Sequence, residues 1–442
     1  MDIEKYLKSF EKEHCECGCL HRFNVLHIFV GKGEIEKIPD LIYEFRSSKP
    51  FILADKNTFE VAGEKVCSVL KNAGIHYEKY IFPMGEIEPD EKAVGSAIMH
   101  FDSTCDLVIA IGSGVINDIG KILANTAKLS YFIVGTAPSM DGYASATSSM
   151  SMDGLKVSLP SKCADVIIGD IDILKNAPMR MLQAGLGDML AKYISIAEWR
   201  IANEVTGEYY CERIAELIRT ALKRCVDNAE GLLKREDEAV KAVFEGLVIS
   251  GVAMAFAGVS RPASGVEHYF SHIWDMRGLE FGTKIDLHGI QCAVATNIAA
   301  GLYEQILKIS PDKQKALTFV KTFDYAVWAK QLKDFLGTGA DAMIVLEKKE
   351  QKYSAEKHEK RFELILEKWD KLCGIIKEEI PTQKEIERIL EKIGAPKTTE
   401  EIGINCDLAM TLKATKDIRD KYVLSCLLWD LGIIDEELLS FR

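Results

Sequence analysis

The stretch that decides the fold of this chain is residues 107–121, L-V-I-A-I-G-S-G-V-I-N-D-I-G-K. Its first five residues are all apolar and predict a buried strand, Leu107–Ile111. Gly112-Ser113-Gly114 follows at once, and the residues from Gly114 to Ala127 predict a helix. Glycines between a buried strand and a helix allow backbone amides to approach a phosphate, which the helix dipole favours. This turn lacks the full G-x-G-x-x-G pattern, so its position after the strand carries the prediction.

The same alternation of apolar runs and amphipathic stretches extends from residue 50 to about residue 170. The predicted strands are 51–54, 80–82, 107–111 and 131–134, and the predicted helices are 58–73, 89–101 and 114–127. Such βαβ alternation predicts a mostly parallel sheet covered by helices on both faces. Ligands of these sheets bind outside the carboxyl ends of the strands.

After Asp170 the pattern changes, and Pro178 opens a series of long amphipathic or apolar helices. We therefore predict an α/β domain over residues 1–172 and an all-helical domain over residues 173–442. Residues 246–259 form the longest stretch of low polarity, but it is shorter than the roughly 18 residues of a membrane span, so we expect a core helix. Residues 347–371 mix both signs of charge densely, and we expect a solvated helical excursion.

Net charge and cysteine distribution indicate which kinds of binding partner and which cell compartment to expect. The 442 residues carry a net charge of −12 that is spread along the chain, so nothing indicates a nucleic-acid or anionic-membrane partner. The charged start, residues 1–13, has no apolar core of a secretory signal. The twelve cysteines lie mostly singly in apolar segments. That distribution predicts reduced thiols and a cytoplasmic protein.

The exception is residues 14–21, H-C-E-C-G-C-L-H. This segment has the residue types that bind zinc, but C-x-C-G-C lacks the usual C-x2-C spacing. The alternative is a surface turn that leads into a strand at Val25–Val30, and this is the interpretation that the spacing favours.

Two further sites at predicted strand ends carry polar groups. Asp55 follows the strand 51–54, where a carboxylate can accept bonds from ribose hydroxyls or cap the helix at Thr58. Residues 135–149 follow the strand 131–134 and are rich in small polar groups, namely Thr136, Ser139, Asp141, Ser145 and Thr147. Such a loop is a turn or a ligand cradle, and its position on the same sheet edge favours the cradle.

Three of the nine histidines, His268, His272 and His288, lie within twenty-one residues. Ser264 and Glu267 have the spacing of a capping box, which predicts a helix from Gly265 with His268 and His272 on one face. Asp188 lies in the motif G-L-G-D. A carboxylate with converging imidazoles predicts a divalent-metal site that can polarise a substrate oxygen. The alternative is a set of hydrogen-bonded core histidines.

The ordered motifs resemble a known family. They are G-S-G-V-I-N-D-I-G-K (112–121), G-T-A-P-S-M-D-G-Y-A-S (135–145), A-P-M-R-M-L-Q-A-G-L-G-D-M-L-A-K (177–192), S-R-P-A-S-G-V-E-H-Y-F-S-H (260–272) and L-H-G (287–289). In order and wording they resemble the sn-glycerol-1-phosphate dehydrogenases, closer to the bacterial branch than to the archaeal one. These enzymes lie within the iron-containing alcohol dehydrogenase and dehydroquinate synthase-like group.

The resemblance implies a Rossmann-like nucleotide-binding domain, a helical metal- and substrate-binding domain and an active site in the cleft between them. It implies NAD(H) or NADP(H), one divalent ion (zinc, nickel or iron), and the interconversion of dihydroxyacetone phosphate and glycerol 1-phosphate in phospholipid biosynthesis. By the same resemblance Asp188, His268 and His288 are metal ligands, and His272 and Asp141, with Asp188, contact substrate. The implied cofactor contacts are Gly112, Ser113, Gly114, Asp118, Thr136, Ser139, Ser145 and Asp55. We further expect a homo-oligomer with no membrane span.

Several alternatives stay open at this point. His272 can replace His268 as the ligand, and otherwise it is a candidate proton donor or substrate anchor. Arg261 is a candidate for phosphate binding or a structural residue. The substrate can be glycerol or another polyol. A dehydroquinate synthase-like lyase shares the fold but normally pairs its histidines with a glutamate. An inactive homologue that serves as a binding partner is the alternative outside enzymes.

Overall fold

A computed structural model describes residues 3–11, 14–83, 87–152 and 155–435. The strands are β1 (His27–Gly31), β2 (Pro50–Asp55), β3 (Glu78–Phe82), β4 (Leu107–Gly112), β5 (Ser130–Gly135), β6 (Thr147–Met152), β7 (Leu155–Pro160) and β8 (Val166–Asp170). Six of them form one parallel sheet in the order β1-β8-β5-β4-β2-β3, and β6 pairs with β7 in an antiparallel hairpin. The predicted parallel sheet is confirmed.

The helices before and around the sheet are α1 (Ile3–Lys8), α2 (Ile38–Glu44), α3 (Lys56–Thr58), α4 (Glu64–Asn72), α5 (Glu91–His100), α6 (Gly114–Ala127), α7 (Ile171–Leu174) and α8 (Met179–Leu190). The next four are α9 (Lys192–Thr206), α10 (Glu212–Asp227), α11 (Ala229–Leu233) and α12 (Asp237–Ala257). The last ten are α13 (Val266–Phe281), α14 (His288–Ile306), α15 (Lys313–Lys321), α16 (Tyr325–Leu336), α17 (Gly339–Glu350), α18 (Ala355–Glu367), α19 (Trp369–Glu379), α20 (Gln383–Lys392), α21 (Leu408–Thr415) and α22 (Leu424–Asp430). Short 3₁₀ turns lie at Glu34–Lys37 and Gly142–Ala144, and a π-helical turn lies at Phe59–Gly63. After β8, every regular element of the described residues is helical, as predicted.

Strands β4 and β2, which are neighbours in the sheet, mark where its chain order reverses. Every residue of β4 is buried, and Ala54 of β2 lies opposite Ile111 of β4. From β2 the chain moves outward to β3, and from β4 it moves the other way to β5 and β8. Loops at the carboxyl ends of β2 and β4 therefore diverge and leave a crevice, which is where open α/β sheets bind ligands.

The hairpin of β6 and β7 has no counterpart in the sequence prediction, which kept residues 135–149 as one loop. Strand β6 reads T-S-S-M-S-M and has few β-branched or aromatic residues, so its composition does not indicate a strand. The hairpin is held to α6 instead: Lys121 Nζ donates to the Thr147 carbonyl at 2.8 Å, and Ser148 Oγ donates to the Asp118 carbonyl at 3.2 Å. These two bonds join residues that are 26 and 30 positions apart, so no local pattern in the sequence indicates the hairpin.

Helix α12 is the apolar helix that was predicted for the core. It is long and apolar enough to cross a membrane by length and composition, but 83% of that stretch is buried inside the protein. Its small residues allow close packing: a Cβ on Gly251 would lie 2.9 Å from the Ala144 Cβ and 3.0 Å from the Asp141 carbonyl oxygen. The loop of Asp141 is therefore positioned by a glycine in this helix.

The chain divides into two compact units, residues 1–189 with 216–259, and residues 190–215 with 260–442. The predicted limit at residue 172 lies just after β8, whereas these units divide after Met189. Our domain limits of 1–172 and 173–442 stay a prediction about independent folding.

The charge-dense segment 347–371 is helical, as predicted, but it is not simply solvated. Glu347, His358 and Phe362 are all buried. The Glu347 carboxylate accepts bonds from the backbone amides of Lys352 and Tyr353, both at 3.1 Å. The prediction of a solvated excursion is wrong because the abundant surface charges obscure the few inward-facing positions of these helices.

Candidate active site

The turn from β4 to α6 depends on a residue without a side chain. A Cβ on Gly112 would lie 2.5 Å from the Ile116 Cβ, so only glycine lets the strand pass this close to the helix. The Gly112 carbonyl accepts a bond from the Thr136 amide at 3.1 Å, which joins the ends of β4 and β5. Two of the predicted cofactor-binding turns, 112–114 and the start of 135–149, are thus brought together.

The hydroxyl groups of these two turns bond to one another. Ser113 Oγ lies 2.5 Å from Ser139 Oγ, and Tyr143 donates its hydroxyl to the Ala137 carbonyl at 2.6 Å. Burial raises the pKa of Tyr143, which keeps it a donor. Since Ser113 makes no side-chain cap for α6, the first amides of this helix are not covered by its hydroxyl. A helix start of this kind favours an anion.

Asp55 lies at the carboxyl end of β2, next to the position of Gly112 in the sheet. Its Oδ1 accepts from the Thr58 amide at 2.8 Å, and its own amide donates to Thr58 Oγ1 at 3.0 Å. This is a capping box, so the structural alternative weighed for Asp55 is present. Its side chain is only half-buried. A role with ribose hydroxyls stays a prediction.

Asp118 lies one turn into α6 and faces the hairpin. Its Oδ1 lies 3.1 Å from Nζ of the buried Lys121, and burial raises the pKa of the Asp118 carboxyl despite this cation. Ser145 and Thr147 bond to each other through their hydroxyls at 2.9 Å. Asp118 therefore helps to hold the hairpin, and its predicted contact with a cofactor would come in addition to that role.

Asp141 and Asp188 meet because α8 approaches the loop of Asp141 very closely. A Cβ on Gly185 would lie 1.8 Å from the Pro138 carbonyl oxygen, so no other residue fits there. Asp188, three residues later and fully buried, accepts a bond from the Asp141 amide at 2.9 Å. Ser250 Oγ donates to Asp141 Oδ2 at 2.7 Å. Gly185, the first glycine of the G-L-G-D motif, thus lets the Asp188 carboxylate reach the backbone amide of Asp141.

In the second unit, α13 begins at Val266 after an extended Gly265. The predicted capping box is wrong: Glu267 bonds to the Gly265 amide at 2.8 Å, but Ser264 provides no side-chain cap. The Val266 amide instead donates to Glu198 Oε2 at 2.9 Å, a partner that lies 68 residues away and that no local pattern reveals. Burial first, and then the Glu267 charge, raise the pKa of Glu198 to about 8.

The connection between α13 and α14 turns back along α13. A Cβ on Gly278 would lie 2.5 Å from Ile285 Cγ2 and 3.3 Å from the Thr283 carbonyl oxygen, so the returning chain packs against this glycine. Helix α14 therefore begins beside the first turns of α13. Ser271 Oγ lies 2.9 Å from His288 Nδ1, and Gln291 Nε2 donates to Ser271 Oγ at 2.9 Å.

This arrangement brings the three predicted histidines together. The ring centroids are 5.0 Å apart for His268 and His288, 5.9 Å for His272 and His288, and 6.5 Å for His268 and His272. His268 Nδ1 bonds to Glu267 Oε1 at 2.8 Å, and His288 Nδ1 bonds to Ser271 as above. The Glu267 carboxylate accepts, so the proton of His268 lies on Nδ1 and its Nε2 is the ligand atom, whereas the Ser271 hydroxyl holds Nδ1 of His288 and orients that ring.

Cys292 is a site residue that the sequence analysis missed. Its sulfur is fully buried and lies 3.5 Å from His288 Nε2. Donor atoms of His268, His288 and Cys292 all lie within 4.8 Å of one another. Burial raises the pKa of the Cys292 thiol, but the two imidazoles outweigh it and leave the pKa lowered. The signal was available, because Cys292 follows His288 by four residues, one helical turn.

Arg261 forms an ion pair with Glu208. Its buried guanidinium makes two bonds to the Glu208 carboxylate, of 2.6 and 2.5 Å, and one to the Tyr422 carbonyl at 3.0 Å. These bonds use Nε and Nη2 and fix the segment before α13, whereas the buried Nη1 has no hydrogen-bond partner among the described residues. A role for Arg261 in phosphate binding stays a prediction.

Known proteins with a similar sequence or fold identify the class of enzyme. Residues 29–178 match the family described as iron-containing alcohol dehydrogenase. The crystal structure of glycerol dehydrogenase from Schizosaccharomyces pombe superposes with a TM-score of 0.61 at 17% identity, over 95% of this chain and 92% of that one. The fold is that of the iron-containing alcohol dehydrogenases.

Curated relatives narrow the class to one family. Glycerol-1-phosphate dehydrogenase [NAD(P)+] of Geobacillus thermodenitrificans is 30% identical over 71% of this chain and 79% of its own length. The enzyme of the same name from Methanosarcina acetivorans is 33% identical over 61% of this chain and 74% of its own. The chain belongs to the glycerol-1-phosphate dehydrogenase family, as the motifs predicted.

Proposed function

We propose that this protein is a metal-dependent, NAD(P)-linked oxidoreductase that interconverts dihydroxyacetone phosphate and sn-glycerol 1-phosphate. The observation that carries the proposal is the histidine cluster, in which one donor atom each of His268, His288 and Cys292 lies within 4.8 Å of the others. Family membership supplies the reaction, and the converging imidazoles, of which His268 is buried and His288 half-buried, support the metal chemistry that it requires.

The metal ligands that we propose are Asp188, His268 and His288. The donor set fits a divalent ion of the zinc, nickel or iron type, since imidazole and carboxylate suit all three. The inclusion of Asp188 rests on the resemblance and on its being a fully buried carboxylate. When bound, the ion stabilises negative charge on the substrate oxygen.

The nicotinamide cofactor is proposed to bind at the carboxyl edge of the sheet. The residues assigned to it are Asp55, Gly112, Ser113, Gly114, Asp118, Thr136, Ser139 and Ser145. The fit is supported by the side-chain-free approach at Gly112 and by the position at the reversal of strand order. The cofactor, when bound, supplies or accepts a hydride at C2 of the substrate. The amides of the turn 112–114 are placed to bind its pyrophosphate.

His272 and Asp141 are proposed to act on the substrate. His272 is one helical turn after His268, and its ring stacks on His288 at 5.9 Å. It is the residue we assign to hold or deliver the proton at the C2 oxygen. Asp141 is fixed through its amide by Asp188 and through Oδ2 by Ser250, so it can accept a bond from a substrate hydroxyl with little loss of freedom.

The alternatives are less well supported. The family is defined by enzymes named for a phosphorylated substrate, so a polyol dehydrogenase is not favoured. The carboxylate of the predicted ligand set is an aspartate, which disfavours a dehydroquinate synthase-like lyase. We also propose a homo-oligomer in the cytoplasm, with a small phosphorylated substrate and no nucleic-acid partner.

The test is an NADH- and NADPH-oxidation assay with dihydroxyacetone phosphate. We expect turnover that a chelator abolishes and that added divalent ion restores. Dihydroxyacetone at equal concentration should give a much lower kcat/KM. Chiral analysis of the product should show sn-glycerol 1-phosphate. Equal kcat/KM for the two ketones would reject the phosphate requirement, and turnover that is unaffected by chelator would reject the metal.

A further inference from the structure

A second cluster of metal-binding side chains lies in the segment before the sheet and is not used by the proposed reaction. Donor atoms of Cys15, Cys17 and His21 all lie within 4.8 Å of one another. Cys17 Sγ is 3.3 Å from His21 Nε2. These residues belong to H-C-E-C-G-C-L-H, whose spacing favoured a plain turn.

The turn is present, and it explains how unusual spacing still converges. Gly18 has a φ of +81°, a backbone angle that residues other than glycine rarely adopt. Its amide donates to the Cys15 carbonyl at 2.9 Å. The reversal at Gly18 folds residues 15–18 into one tight turn and leads the chain to His21. A C-x-C pair followed by this turn therefore brings its ligand atoms together, as the C-x2-C spacing does in other zinc sites.

His21 is fixed in the orientation of a ligand. The residue is 1% exposed, and its Nδ1 lies 3.1 Å from the Phe256 carbonyl oxygen. A carbonyl only accepts, so Nδ1 carries the proton and Nε2 presents its lone pair to Cys17. Phe256 is in the last turn of α12, where carbonyls lack helical partners. His21 thus satisfies the end of α12 and is held as metal-binding histidines are held.

We propose that Cys15, Cys17 and His21 bind a structural zinc ion. In a tetrahedral site the sulfur and nitrogen ligands are about 3.6 Å apart, close to the distance between Cys17 Sγ and His21 Nε2. A fourth position, filled by water or one further side chain, completes the tetrahedron. Thiolate-rich sites of this kind stabilise folds rather than carry out chemistry. The ion would fasten the segment before β1 to the end of α12.

Zinc content of the full chain tests the proposal. The parent protein carries His268→Ala and His288→Ala, so that zinc at the proposed catalytic ligands does not contribute. Purified without chelator and with a non-thiol reductant, it should hold one zinc ion per chain. Cys17→Ser and His21→Ala in this parent should lose that zinc. Cys19→Ser is the matched control, since Cys19 is in the same segment but is not part of the cluster, and it should keep the zinc.

A second measurement, the alkylation rate of each cysteine, uses the unmutated chain, so it remains informative even if the variants do not fold. Alkylation followed by peptide mass spectrometry should label Cys19 readily and Cys15 and Cys17 slowly. After chelation all three cysteines should be labelled at the same rate.

The melting temperature of the variants is a third readout. Chelation should lower the Tm of the parent and of Cys19→Ser, and leave that of Cys17→Ser unchanged. A parent without zinc, or alkylation of Cys15 and Cys17 that ignores the chelator, would overturn the proposal and leave a thiol-to-imidazole hydrogen bond. Zinc retained in Cys17→Ser would overturn the ligand assignment.

Discussion

The two histidine clusters of this protein are oriented in the same way but held by different structures. His268 and His288 sit on the first turns of two helices and engage Nδ1 with Glu267 and Ser271. His21 sits after a tight turn and engages Nδ1 with a backbone carbonyl. In each case the bond to Nδ1 orients the ring, as bonds outside the ligand shell orient metal-binding histidines. The neighbours then differ: His268 and His288 have the single thiol of Cys292 beside them, whereas His21 has the two thiols of Cys15 and Cys17, and thiolate-rich sets are typical of structural zinc.

Sequence spacing alone is a poor guide to a metal site in this protein. The C-terminal cluster has an i, i+4 spacing on a helix, and its third histidine arrives only because Gly278 lets the chain return along α13. The N-terminal cluster has a spacing that is rare for zinc, and it converges because of Gly18. In both clusters a glycine that is not itself a ligand allows the chain to turn, and this turn brings the ligand residues together.

The largest expected effect is on the C-terminal cluster. His268→Ala should remove the metal and lower kcat/KM by more than about 10²-fold, because the charge on the substrate oxygen loses its main stabilisation. Metal analysis and steady-state kinetics measure both. His76→Ala, at an exposed position, is the control and should change neither. Full metal occupancy in His268→Ala would transfer the ligand role to His272.

His272 separates substrate chemistry from metal binding within that cluster. His272→Ala should keep its metal and lose on the order of 10²-fold in kcat, in kcat/KM for dihydroxyacetone phosphate, or in both. Metal content, kinetics and Tm are measured on the same preparation. Near-normal kinetics with a lowered Tm would make His272 a packing residue.

The bonds to Nδ1 are tested by Ser271. Ser271→Ala should lower metal affinity by about 10 to 100-fold, since His288 loses the partner that orients it. Ser271→Thr keeps the hydroxyl and should restore most of that affinity. Metal titration of the chelator-treated protein gives the dissociation constants. If alanine and threonine behave alike, the hydroxyl does not orient the ring.

The smallest effect concerns the start of α13. The pKa of Glu198 is raised from 4.5 to about 8, so the folded protein holds a proton that the unfolded chain releases. Its contribution to stability is complete below pH 4.5 and is lost as pH rises to 8. The free energy of unfolding of the wild type should therefore fall relative to Glu198→Gln over this interval. Urea denaturation at several pH values measures it, and a constant difference would contradict the raised pKa.

Much of the first unit could be predicted from sequence because its signals are local. The strand at 107–111, the turn at 112–114 and the helix at 114–127 each follow from a run of neighbouring residues. The histidines were identified by their density and by the family motifs. These patterns need no knowledge of distant contacts.

What could not be predicted depends on distant partners. Glu198 caps α13 from 68 residues away, and Lys121 holds a hairpin whose strands look like a loop. The role of Arg261 stayed open between phosphate binding and structure because its partner, Glu208, lies 53 residues earlier. Cys292 differs, since its helical spacing from His288 was visible but a cysteine in an apolar segment is usually only packing.

Helix α12 has a consequence for how this protein can be shortened. It bonds to His21 near its last turn, through Phe256, and to Asp141 through Ser250, six residues earlier and about 9 Å along the axis. A truncated protein that starts at β1 would retain every strand yet leave the carbonyl end of this helix without its imidazole partner. We expect such a protein to melt at a lower temperature and to hold its Asp141 loop less firmly. The smallest intact version of the first unit therefore begins upstream of its sheet.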